Sequence, residues 1–62
     1  MKTYKIDPNK TGWLKIDGNV SVIIAHFDDG HQETMSTVEY LMEVEKRKHI
    51  IQIDCYTDEE MN

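Results

Sequence analysis

Apolar and polar residues alternate in several stretches of this chain and recur at helical spacing in one. Over residues 2–6 the alternation is brief, so it suggests an edge strand without fixing it. Asp7-Pro8-Asn9 reads as a turn, because proline presets φ and Asx side chains bond nearby backbone. Gly12 closes that loop. Residues 13–17 and 20–28 then read as two strands joined around Asp17-Gly18-Asn19. A three-residue loop pairs Ile16 with Val20, Leu14 with Val22 and Gly12 with Ile24. It gathers Leu14, Ile16, Val20, Val22 and Ile24 on one face. A two-residue loop splits that apolar set, and a slip of one residue turns every side chain over, so the three-residue register is expected. The other face carries Trp13, Lys15, Ser21, Ile23, Ala25 and Phe27 and is half apolar. The strand at 20–28 is therefore expected to be central, with both faces partly covered.

Residues 31–35 return as a strand, and then the period changes. Ser36 and Glu39 have the spacing of a capping box, with Met35 and Tyr40 placed as the hydrophobic staple around it. The helix is expected to run to about residue 47, with Lys46-Arg47-Lys48 where positive charge complements the macrodipole. Val38, Tyr40, Leu41, Met42 and Val44 cover an arc of roughly 200° on it. Glu39, Glu43, Lys46 and Arg47 fill the remainder, and Glu43 and Arg47 form a favourable i,i+4 pair. One sheet face covers a narrower stripe than this. Tyr40 and Val44 are therefore expected to contribute to self-association, most simply in a homodimer, unless the helix sits in a deep twisted groove. Residues 49–56 form the last strand, with Ile51, Ile53 and Cys55 on one side and Ile50, Gln52, Asp54 and Tyr56 on the other. The order is β-β-β-β-α-β, the first strand being the one the pattern leaves open. A single amphipathic helix on one face of a small antiparallel sheet is an α+β architecture. Residues 1–57 make one small domain, and residues 58–62, with Asp58, Glu59 and Glu60, an acidic C-terminal tail expected to fray.

Length sharpens the need for a partner or a metal. A 62-residue chain buries only about 60% of the surface its unfolded form exposes, so its stability is marginal on its own. The single cysteine, Cys55, excludes an internal disulfide framework and fits a reducing compartment. Residues 1–6 lack the apolar core of a signal peptide, and the longest apolar run, residues 22–25, is far too short for a bilayer. A soluble, cytoplasmic protein without membrane contact is expected. Twelve acidic against seven basic residues give a net charge of −5. That disfavours direct DNA binding and favours basic partners, although a moderate charge also serves solubility.

The stretch His26-Phe27-Asp28-Asp29-Gly30-His31 concentrates the candidate chemistry. Asp29-Gly30 suits a two-residue type I′ turn. In that register Asp28 pairs with His31 and His26 with Glu33, so His26, Asp28, His31 and Glu33 share a face and could hold zinc or another divalent ion. With a three-residue loop, Asp28-Asp29-Gly30, Phe27 pairs with His31, the two histidines fall on opposite faces, and the set is divided. The sequence leaves both registers open. Asp, Gly and His are also common at exposed hairpin tips, and a metal site needs outer partners that a tip seldom supplies.

No glycine-rich phosphate loop or nucleophile elbow is present. Cys55 alternates with Ile51 and Ile53, as a buried small hydrophobe does. No catalytic residues, cofactor or enzymatic activity are expected. Trp13 between Lys10 and Lys15 could anchor a partner or stack on a base, or could simply cover the sheet. With Lys46-Arg47-Lys48 it supports a minor alternative, a weak nucleic-acid binder.

The leading expectation is a non-enzymatic acidic interaction module, of the style of small phage-encoded inhibitors, though no motif carries a family resemblance. It would occupy a basic surface of a nucleic-acid-binding protein or polymerase, as a DNA mimic does. Its contact residues would be Trp13, Asp28, Asp29, Glu33, Glu39, Glu43, Asp54, Asp58, Glu59 and Glu60.

Overall fold

A computed structural model describes residues 1–7 and 16–61, the last of these by its backbone alone. Four strands form one antiparallel sheet: β1 (Lys2–Lys5), β2 (Val20–Phe27), β3 (Gln32–Ser36) and β4 (Ile50–Thr57). Their order across the sheet is β1-β4-β2-β3. Between β3 and β4 the chain forms two short helices, α1 (Thr37–Met42) and α2 (Val44–Arg47), and after β4 a single turn, α3 (Asp58–Met61). The fold is α+β. The expected single helix is divided at Glu43, whose backbone leaves the helical region at φ −86° and ψ 66°.

β1 lies at the edge and β2 in the centre, as the pattern suggested. The expected strand at 13–17 falls mostly outside the described residues. Ile16 and Asp17, which are described, belong to no strand. Both sides of β2 are taken, by β3 and by β4, so Val22 and Ile24 have no edge left for a further strand.

The dry face of β2 is the one that carries Ile23, Ala25 and Phe27, opposite to the face that the alternation predicts. The core consists of Ile23, Ala25 and Phe27 from β2, Met35 from β3, Tyr40 from α1, and Ile50, Ile53 and Cys55 from β4. Tyr4, Ile6, Ile16 and Val20 pack against it. Val22 and Ile24 lie on the other face and are only half-buried. The cross-strand neighbours decide this. Ile23 stands beside Met35 and Cys55, and Ala25 beside Ile53, whereas Ile24 stands beside Thr34 and Asp54. Apolar pairs across strands are what a buried face requires.

Two irregularities re-aim side chains. Between Val20 and Val22 the register with β4 shifts, and Val20 packs on the core although Val22 does not. A second shift falls where His26 pairs with Gln52 but Phe27 with Ile50. One extra residue, Ile51, is left unpaired there, as in a β-bulge. Ile50 is buried and Ile51 exposed, the reverse of strict alternation. The Ile51 carbonyl instead accepts the Ile6 amide at 2.9 Å.

The start of α1 follows its sequence signal. Ser36 Oγ accepts the Glu39 amide at 3.1 Å and faces the Glu39 carboxylate at 3.4 Å. Met35 and Tyr40, flanking the cap, are both buried in the core. Thr37 Oγ1 donates to the Val20 carbonyl at 2.8 Å and ties the helix start to β2. Isolated helices this short do not hold themselves, so tertiary contacts must. Only Tyr40 supplies a buried side chain; Val38, Leu41, Met42 and Val44 remain exposed. The stretch expected to fray carries α3, whose Glu60 carboxylate accepts both the amide and the hydroxyl of Thr57, at 3.0 and 3.1 Å. Glu60 also meets the amino terminus of Met1. Among the described residues no helix is long and apolar enough to cross a membrane.

Candidate functional site

The hairpin between β2 and β3 takes the three-residue loop. His26 pairs with Gln32, Ala25 with Glu33 and Ile23 with Met35. The Phe27 amide donates to the His31 carbonyl at 2.9 Å and the Gly30 amide to the Phe27 carbonyl at 3.0 Å. Gly30 sits at φ 96°, a conformation glycine adopts without steric penalty. Asp28 therefore belongs to the loop, and the four expected metal ligands do not converge. His26 projects from the outer, uncored face, while His31 and Glu33 lie on the same side as Phe27 and Met35. Among the described residues, no group of three or more His, Cys, Asp or Glu is placed to hold a metal ion. The convergent set His26, Asp28, His31 and Glu33 is thus corrected by the register.

Each histidine finds other partners. At the tip, the His31 ring stacks on Phe27 with centroids 4.2 Å apart. Its Nδ1 lies 2.5 Å from Asp29 Oδ1 and its Nε2 3.1 Å from Glu33 Oε2. Asp29 Oδ1 also accepts the His31 amide at 3.0 Å. The second Glu33 oxygen receives Lys46 Nζ at 3.1 Å, which joins β3 to α2. Hydrogen bonds to Glu33 and then Asp29 raise the His31 pKa above its ordinary value. The His31 amide and ring lower that of Asp29, and His31 followed by Lys46 lowers that of Glu33. Lys46 is raised in turn, chiefly by its bond to Glu33. A further histidine joins the tip. His49 Nδ1 lies 3.4 Å from Asp28 Oδ2, and the Asp28 amide donates to the His49 carbonyl at 2.8 Å. These groups border an open depression of about 430 Å³ at the junction of the hairpin with α2 and β4.

On the outer sheet face His26 Nε2 lies 2.8 Å from Asp54 Oδ2. The other Asp54 oxygen accepts Thr3 Oγ1 at 2.8 Å and Gln52 Nε2 at 3.3 Å. These bonds, His26 foremost, hold the Asp54 carboxyl below the ordinary carboxylate range. Asp54 is thus a half-buried structural acceptor and not the exposed contact residue expected from the sequence.

Several other expectations can be placed. Glu39, Glu43, Asp58 and Glu59 are exposed, whereas Glu60 is engaged by Thr57 and Met1. Trp13, Lys10 and Lys15 lie outside the described residues. Tyr40, expected at a subunit contact, is 5% exposed and packed in the core, with Arg47 over its ring at 5.7 Å; Val44 is exposed. Cys55 is buried, as read, and burial pushes its thiol pKa up, away from the nucleophilic thiolate.

Sequence reasoning missed the pairing of His26 with Asp54 and of His49 with Asp28. Both depend on how β4 lies against β2, and no local spacing encodes that. The Asp29–His31 pair did have a local signal, an Asx residue two positions ahead of its partner. No protein-family model, curated protein or solved structure matches this chain, so its functional reading rests on these residues.

Proposed function

We propose that this chain is a non-enzymatic acidic interaction module that occupies a basic surface of a protein partner in the cytoplasm. The observation that carries this reading is the location of the surplus negative charge. Lys2, Lys46 and Lys48 are tied to Asp17, Glu33 and Glu45. Asp28, Asp29 and Asp54 each face a histidine. Glu39, Glu43, Asp58 and Glu59 have no ion-pair partner among the described residues. Their charge is exposed on and beside the helices; Glu39 and Glu43 act in part on Lys46, and Asp58 and Glu59 are left to complement cations elsewhere. Opposite potentials steer encounter and set register between proteins. In its finer form the reading is of an inhibitor: spaced carboxylates stand where nucleic-acid phosphates would lie in a basic groove of a nucleic-acid-binding protein or polymerase. It needs neither a catalytic group nor a cofactor.

The test is capture from a lysate of the source cell by the immobilised protein, with salt elution and a duplex DNA competitor. The expected result is a basic, nucleic-acid-binding protein that DNA displaces. Capture should disappear with the combined Asp58→Lys and Glu59→Lys variant, while its circular dichroism stays unchanged. Undiminished capture of the same protein by the reversed variant would overturn the reading.

A further inference from the structure

The two edges of the sheet are guarded unequally. β1 carries Lys2 and Lys5 within its four residues, and lysines on an edge strand oppose pairing with another chain. β3, the other edge, reads Gln-Glu-Thr-Met-Ser and has no lysine or proline. No strand lies beyond it among the described residues. Its unpaired groups can be assigned. The bond from Phe27 to His31 fixes the alternation, so Glu33 and Met35 bond to β2. The backbone groups of Gln32, Thr34 and Ser36 then point outward from the edge.

A second exposed feature adjoins this edge. α1 packs on β2 and β3 through Tyr40, yet leaves Val38 64% and Met42 75% exposed, with Leu41 and Val44 also open. Val38 and Met42 lie about 160° round α1 from the sheet-packed Tyr40, and Leu41 about 100° from it, so the helix carries an apolar flank as well as an apolar outer side. The helical stretch begins at Ser36, at one end of β3, and its Lys46 reaches Glu33 near the other. It therefore runs back along the edge strand.

We infer that a second copy of this chain docks here, β3 against β3 about a two-fold axis at Thr34, with the Leu41 flanks of the two α1 helices adjoining the seam. This goes beyond the basic-partner reading and stands whether or not that partner exists. Three features favour a second copy over an unrelated chain. First, the axis at Thr34 sets Thr34 opposite Thr34 through outward-pointing groups, and it brings the Ser36 amide to the Gln32 carbonyl of the other copy. Second, it places Glu33 opposite Met35 and not opposite another Glu33, so no like charges meet across the strands. Third, the antiparallel helical stretches bring Glu39 and Glu43 of one copy toward the basic end of α2 in the other, where Lys46 and Lys48 already meet Glu33 and Glu45 of their own chain. A stable interface takes about 800 Å² from each partner, more than the apolar flank alone supplies, and the contiguous β3 edge extends it. The same surface on both copies is what an isologous dimer requires.

The experiment is sedimentation equilibrium of the full chain over a range of concentrations, with three variants. The wild type is expected to dimerise. Thr34→Lys, which sets like charges together on the axis, and Leu41→Asp, which breaks the apolar flank, should each yield monomers with unchanged circular dichroism. Thr34→Cys should form a covalent dimer under mild oxidation, because only a residue on the axis meets its own copy. A wild type monomeric at the highest concentration would overturn the inference. So would a dimer that survives Thr34→Lys, since the edge register would then be wrong. Should either monomeric variant prove unfolded, the Thr34→Cys result decides alone: cross-linking supports the axis and its failure refutes it.

Discussion

His26 and His31 flank the same turn and each meets carboxylate, yet the two arrangements differ in kind. His31 is bound by its own hairpin, to Asp29 and Glu33, each two positions away. His26 is bound by a distant strand, to Asp54, twenty-eight positions away. The tip pair is exposed, while the sheet pair is 24% and 15% exposed and is built into a ladder with Thr3 and Gln52. Similar side chains therefore do different work. At the tip they shape a loop and set local charge. On the sheet they lock the β1, β4 and β2 strands in register. Exposed ion pairs contribute little because water and salt screen them. A half-buried acceptor that would leave several donors unmet contributes more.

The largest test of this contrast lies beneath the tip. Phe27 is buried 5% exposed and carries the stacked His31 ring. Phe27→Ala should cost about 3–5 kcal/mol, as large-to-small core changes do. Urea denaturation would measure it, and the tip histidine signals should shift with it. A loss confined to the tip, with the global midpoint unchanged, would mean that the hairpin end is not part of the core.

Next in size is the sheet pair. Asp54→Ala leaves His26 Nε2, Thr3 Oγ1 and Gln52 Nε2 without their acceptor. The expected cost is about 1–3 kcal/mol. Asp29→Ala, at the exposed tip, should move the urea midpoint much less. Equal shifts for the two variants would erase the distinction drawn between the regions.

Those two regions were also unequally legible in the sequence. The cap at Ser36, the staple of Met35 and Tyr40, and the central place of β2 follow from local spacing and hydrophobic alternation, and the structure has them. The hairpin register did not follow, because Asp28-Asp29-Gly30 satisfies two turn types and the alternation on β2 is apolar on both faces. What decides the face is Ile23 lying beside Met35 and Cys55, a relation across strands that no periodicity reports. The wide apolar arc of the helix was readable as a surplus. That Tyr40 would fill the core and leave Val38, Leu41, Met42 and Val44 outside depended on the break at Glu43, which no proline or glycine announces.

The turn itself gives a smaller test. Gly30 holds φ 96° with nothing within 4 Å of an added Cβ, so backbone conformation alone opposes a side chain there. Gly30→Ala should cost about 1–2 kcal/mol, the penalty of a left-handed residue. Gly18→Ala, where there is also open space but no positive φ, should be neutral or slightly stabilising. Indifference to Gly30→Ala in thermal melts would mean that Gly30 does not hold a positive φ, and would overturn the three-residue loop.

The smallest effect concerns pH, and its sign separates the regions once more. The His31 pKa is raised on folding, chiefly by Glu33 and then by Asp29. Its contribution is fully present below the ordinary imidazole value and is lost as pH rises through the raised one. The Asp54 pKa is lowered on folding, chiefly by His26. Its contribution is present above the ordinary carboxylate range and is lost as pH falls through the lowered value. Nuclear magnetic resonance titration should therefore place the His31 inflection above that of an unstructured histidine. Glu33→Gln should bring it down further than Asp29→Asn, and added salt should bring it down in the wild type because the pair is exposed. In acid, the difference in urea midpoint between wild type and Asp54→Ala should close. A wild-type His31 inflection at the ordinary value would remove the tip pairing, and would leave Asp54 as the only one of the two sites where folding and protonation are coupled.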